Sequence, residues 1–151
     1  IDKKRCKELI AQARPLKITC HRAFDTTRDP IEALEDCIEV GFDRILTAGQ
    51  QPTAGAGVIL IAELIRQANG RIAIMAGSGV NENTVHNIVA KTDVDEVHFS
   101  ATAFRDSAMT YKAEVAASIS SEKKHAYDLR VVDPARVRKI RELAIAAKKS
   151  V

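Results

Sequence analysis

Apolar and polar positions follow two periods along this chain, and the periods take turns. Leu16 to Cys20 is a short apolar run suited to a strand. Asp29 and Pro30 then stand as an N-cap and a first helical residue. Behind them Ile31, Leu34 and Ile38 share one helical face, with Ala33 and Cys37 beside them, and Gly41 is a natural stop. The order recurs. FDRILTAG predicts a second strand with Ile45 and Leu46 buried and Gly49 at its end. Gly57 to Ala68 predicts a helix closed by Asn69 and Gly70. RIAIMAGSG predicts a third strand; Asn81 then caps a helix whose Val85, Ile88 and Val89 point inward. DEVHFSA predicts a fourth strand, and Cys6 to Ala13 reads as a helix tail ahead of the series.

Each strand-plus-helix unit takes roughly 25–30 residues, the size of a βα module. Strands alternating with amphipathic helices predict a parallel α/β sheet. After Ser100 the periodicity fades. Phe104 to Tyr127 is polar and predicts a long loop with a short helical piece. A last helix comes next, capped by Asp133, opened by Pro134 and lined on one face by Val137, Ile140 and Leu143. No internal linker marks a second domain, so residues 1–151 are expected to belong to one.

Composition narrows the picture further. Aromatic residues make up 4% of the 151 residues and Trp is absent, so the core has to be aliphatic. A net charge of +3, with both signs mixed along the chain, predicts neither a nucleic-acid nor a membrane partner. No apolar run is long enough to span a bilayer, and the first residues read as a charged amphipathic helix in place of a signal peptide. A cytoplasmic protein is expected. Cys6, Cys20 and Cys37 are odd in number and widely spaced, with no CxxC, so free thiols are expected.

In parallel α/β folds, ligands bind at the carboxyl ends of the strands. Those ends carry His21, Arg22 and Asp25; Thr47, Gly49 and Gln50; Gly77, Ser78 and Gly79; and His98 and Ser100. Two glycines around Ser78, just before a helix, offer backbone amides to an anion or simply make a tight turn. His21, Arg22, Asp25 and His98 are candidate acid–base and substrate-contacting groups, or a structural ion pair with hydrogen-bonded histidines. Strand alternation sends His21 and Arg22 to opposite sides, and Cys20 and His21 likewise, so neither pair is expected to share one ligand. Cys20 reads as an apolar filler, Cys37 as core, and His86 and His125 as solvent-facing. No ligand spacing in the chain predicts a metal site.

Taken together, HRAFD, RDP, DRILTAGQ, IMAGSGV and EVHFSA resemble the CutC family, known as copper homeostasis proteins, from about Pro15 to the final helix. RDSAM, from Arg105 to Met109, and VVDPARVRKI resemble its animal-type branch. The resemblance implies a (β/α)8 TIM barrel of which this chain supplies about the last four βα units, the C-terminal part of a single barrel domain. It further implies cytosolic copper(I) handling and a homo-oligomer. The alternative is a barrel enzyme acting on a small phosphorylated or anionic ligand. The matching positions are His21, Arg22, Asp25, Thr47, Gly49, Gly77, Gly79, His98 and Ser100. The family's proposed copper cysteines fall in its amino-terminal half, and the position of Cys20 commonly carries an aromatic residue there. The resemblance therefore assigns no copper ligand in this chain.

Overall fold

The computed structural model describes residues 1–113, 115–120 and 123–148. The chain divides into two compact units, one of Ile1–Phe99 together with the chain from Ile140 onward, the other of Ser100–Lys139.

The first unit begins with α1 (Lys3–Ala13), β1 (Thr19–Cys20) and a 3-10 turn (Arg22–Thr26). Next come α2 (Pro30–Val40), β2 (Arg44–Thr47), α3 (Val58–Ala68), β3 (Ala73–Gly77), α4 (Val85–Thr92) and β4 (Glu96–His98). The local reasons are those read from the sequence. Asp29 Oδ1 accepts from the amides of Ile31 at 2.8 Å and Glu32 at 3.0 Å. Gly41 closes α2 at φ +96°, a left-handed cap that costs glycine little. Asn81 differs from expectation. Its side chain accepts from the amide of Asn83, and α4 begins only after Thr84.

The strands are all parallel and run in the order β1-β2-β3-β4. Parallel neighbours joined in sequence need crossovers of one hand, and one hand puts every helix on the same side. The register confirms a two-faced sheet. Cys20, Ile45 and Ile74 form one cross-strand row and are buried, as are Thr47 and Ala76 further along. Against them pack Leu34, Cys37, Ile61, Leu64, Val85 and Ile88, all fully buried. The other face carries Thr19, Arg44 and Ala73 in one row and Leu46, Met75 and Glu96 in the next, all half-buried. The apolar run predicts Leu46 in the core beside Ile45; the period of two sends it to the open face instead. Outside the helix layer, Lys3 and Lys7 of α1 bracket Glu39 of α2 at 2.8 and 2.9 Å and draw its carboxyl down to about 2.

The second unit is built on β5 (Thr102–Asp106) and β6 (Asp128–Val132), antiparallel with Thr102 opposite Val132, and includes the short helix α5 (Ala116–Ile119). Phe104 stacks on His125 with ring centroids 3.7 Å apart, and His125 Nδ1 lies 2.6 Å from Asp128 Oδ2. The predicted loop is thus partly a strand, and His125 is half-buried, not solvent-facing. His86 is exposed. The final helix, α6 (Pro134–Lys148), starts as predicted, with Asp133 Oδ1 accepting from the Ala135 amide at 2.8 Å. Ile140 and Ala147 are its fully buried residues.

Candidate functional site

β1 is only two residues long, and the turn after it decides the geometry. His21 is extended and caps the 3-10 turn, its Nδ1 accepting from the Ala23 amide at 3.0 Å. Accepting at Nδ1 leaves the proton of the neutral ring on Nε2. Alternation ends with the strand, so Arg22 and Asp25 are placed by the turn. There the Arg22 Nε donates to Asp25 Oδ2 at 2.8 Å.

The Asp25 side chain is 7% exposed and is the centre of a dense set of bonds. It accepts from the Thr47 hydroxyl, from the Ala48 amide at 3.0 Å and from the Gln50 amide at 3.1 Å. Gly49 in turn donates to Thr47 Oγ1 at 2.9 Å, and the Gln50 side chain reaches back to the Thr27 carbonyl at 2.7 Å. Burial pushes the Asp25 carboxyl upward. The Thr47 hydroxyl, the Arg22 guanidinium and the two amides together outweigh it and hold the group below its usual value. Asp25 is therefore a carboxylate at neutral pH, with its lone pairs taken by the second loop. It positions that loop.

The glycines have packing reasons. A Cβ on Gly57 would lie 1.9 Å from the Ala48 carbonyl oxygen, so the loop after β2 crosses the start of α3 backbone to backbone, at Gly49 and Gly57. A Cβ on Gly77 would meet Leu46 Cδ1 at 2.6 Å and His98 Cβ at 3.3 Å. Gly79 lies against Thr53, and the Ser78 hydroxyl donates to the Pro52 carbonyl at 2.8 Å. Of the predicted site residues, the structure thus brings together Arg22, Asp25, Thr47 and Gln50 with Gly49 between them. Gly77 and His98 are register partners on β3 and β4, and His98 is exposed. Ser100 falls in the other unit.

Two groupings were not foreseen. On the open face of the sheet, Arg44 of β2 forms a two-pronged ion pair with Glu96 of β4, across the small Ala73, and reaches Thr19 Oγ1 at 3.4 Å. At the other face the cysteines converge. Cys20 and Cys37 are both buried. Interaction with Cys20, together with burial, pushes the Cys37 thiol up, and interaction with Cys37 draws Cys20 down. Cys6 of α1 is half-buried and, with Cys20, His21, Phe24 and Phe42, lines a cleft of about 480 Å³. Cys20 and His21 therefore do face one space. Cys20 lies on the helix-facing parity of β1 and Cys37 on the sheet-facing side of α2, within one βα unit. Among the described residues no three His, Cys, Asp or Glu side chains are grouped to hold a metal ion, and no helix is long and apolar enough to cross a membrane.

Parallel strands in sequential order, helices on one side and a polar carboxyl rim define an α/β protein of the TIM-barrel type, present here in part. The model of the CutC family matches residues 1–103. A CutC family protein of Parabacteroides distasonis is 53% identical over 114 residues, covering 76% of this chain and 47% of its own. The Mus musculus protein named copper homeostasis protein cutC homolog is 40% identical over 144 residues, 95% of this chain and 53% of that one. The solved structure of CutC from Streptococcus agalactiae superposes with a TM-score of 0.61 at 29% identity, over 65% of this chain and 49% of that chain. The chain belongs to the CutC family. It spans about half the length of the curated relatives it matches.

Proposed function

We propose that this chain is the C-terminal part of a CutC barrel that works in copper homeostasis by binding copper(I) in the cytosol, as a homo-oligomer. The observation that carries this reading is the 40% identity along 95% of the chain to a protein named for copper homeostasis. The free thiols support it, because soft copper(I) prefers thiolate donors and thiols persist in a reducing compartment. The test is a competition between the reduced protein and a chromophoric copper(I) chelator. The expected result is stoichiometric withdrawal of copper from the chelator. No withdrawal at equimolar chelator would overturn the reading. Light-scattering mass measurement checks the oligomer, with a monomer at every concentration counting against it.

One observation favours a second reading, a small phosphorylated or anionic ligand handled at the carboxyl rim, with His21, Arg22 and His98 working on it, Asp25 holding the second loop in place, and Thr47, Gly49, Gly77, Ser78 and Gly79 around it. The tautomer set by the Ala23 amide leaves His21 Nε2–H free of that bond at an exposed strand end, a ready donor to an anion. Millimolar phosphate should then raise the melting temperature, and His21→Ala should abolish the rise. The same melting curve with and without phosphate would remove this reading.

A further inference from the structure

The second unit carries a two-stranded sheet whose outer edges differ. The Asp133 amide donates to the Ala101 carbonyl at 2.9 Å, one step beyond the register that sets Thr102 opposite Val132. In an antiparallel pair such bonds recur at alternate residues. The odd positions of β5 and β6 therefore aim their backbone groups at each other, and the even positions aim theirs outward. On β5 the outer edge is sealed at Thr102, whose carbonyl accepts from Arg136 Nη1 at 2.5 Å. On β6 the outward positions are Asp128, Arg130 and Val132, and among the described residues the sheet has no third strand. Two strands alone make a marginal sheet, and further strands strengthen it.

The order Asp128, Leu129, Arg130 says what such a strand is, because it is its own complement about Leu129. A second β6, antiparallel across a twofold axis at Leu129, sets Asp128 of each copy opposite Arg130 of the other, and Leu129 opposite Leu129. In that register the outward backbone groups of both strands meet. Axes at Asp128 or Arg130 oppose like charges, an axis at Val131 matches no charge, and an axis between residues sets outward groups against inward ones. Within the chain the charges of β6 lack this match across the ladder: Asp128 faces Asp106, and Arg130 faces Phe104. Leu129 is 46% exposed and Val132 63%, apolar surface that a strand alongside covers.

We propose that the second unit is a dimerisation element, in which β6 of two copies pairs edge to edge about Leu129 and makes one four-stranded antiparallel sheet. This rests on the homo-oligomer reading above and assigns its interface. The seal on β5 stops the sheet there, so the contact closes as a dimer and does not grow into a fibre.

The experiment is sedimentation of the full chain over a range of concentrations, with circular dichroism as the check on folding. Wild type should pass from monomer to dimer as concentration rises. Asp128→Arg makes both charges of the strand positive, and Arg130→Asp makes both negative. Each alone opposes like charges twice in the dimer and should raise the dissociation constant by at least about tenfold. Mixed in equal amounts, the two variants are complementary and should pair with each other to within about threefold of the wild-type affinity. Hydrogen exchange on wild type needs no variant: the amides of Asp128, Arg130 and Val132 should gain protection on concentration, while those of Leu129 and Val131 stay unchanged. Undiminished dimers in both single variants, a folded mixture that stays monomeric, or even-position amides without added protection overturn the edge assignment while leaving the oligomer standing. A wild type that is monomeric at every concentration overturns both.

Discussion

The two faces of the sheet obey the same alternation and have been used differently. The covered face is continuous with the helix layer, so Ile45, Ile74 and Ala76 pack directly on Leu34, Ile61 and Ile88, and its polar members are either small, like Thr47, or sulfur. The open face has no layer above it among the described residues of this unit, and there the strands present Arg44, Glu96, Met75 and His98, half-buried or exposed. Packing thus governs one face and electrostatics the other. The carboxyl rim joins them, since Asp25 is buried like a core residue and bonded like a surface one. A substitution should cost according to which of these regimes it enters.

The largest effect belongs where backbone touches backbone. Gly57→Ala forces a Cβ into the Ala48 carbonyl, which no side-chain rotation relieves. Its cost should be at least about 3 kcal/mol, read as a fall in the urea midpoint or failure to fold. A wild-type midpoint would show that the crossing is looser than described. Ile45→Ala on the covered face comes second, at roughly 2–5 kcal/mol by the same measurement, from lost burial and the cavity left behind. If the equivalent change Leu46→Ala on the open face costs as much, the contrast between faces fails.

Asp25→Asn tests the rim. It removes a charge that Arg22 and two amides were arranged to meet, and should cost about 3 kcal/mol at neutral pH. The pH dependence sharpens this. The folded-state value of Asp25 lies below its ordinary 3.8, so protonation favours the unfolded chain. Its stabilisation is complete above that ordinary value and is lost as the pH falls through the lower, folded one. Urea midpoints recorded as the pH is lowered from neutrality should drop in wild type and drop less in Asp25→Asn. Parallel curves would mean that other carboxylates carry the acid transition. The smallest effect is expected at Arg44→Met, whose ion pair with Glu96 is a quarter to a third exposed. Stability should change by no more than about 1 kcal/mol, because an accessible ion pair offsets little beyond its own desolvation.

The βα series and its parallel sheet were legible in the chain because period, caps and stops are local properties. Asp29 with Pro30 needs nothing beyond its own segment to start α2, and Gly41 nothing to end it. The hairpin of β5 and β6 was not legible. Thr102 pairs with Val132 across a long stretch of polar chain, and β5 is half-buried or exposed throughout, so it has no alternating signature. Asn81 fits a cap by type, yet its side chain is taken by a turn ahead of the helix.

At the site the division is similar. That His21, Arg22, Asp25 and Thr47 stand at strand ends is read from the sequence, because a strand's carboxyl end is a local feature. That Asp25 spends its lone pairs on Thr47, Ala48 and Gln50, and that Arg44 reaches Glu96 over Ala73, are decisions of the tertiary structure. Each joins segments whose distance is set only when the sheet takes its register and the helices settle on one face. The sequence by itself determined the βα elements as far as β4, their order and the residue types at the rim. Which of those residues are free to act, and which are held by one another, is a matter of three-dimensional register that no local period encodes.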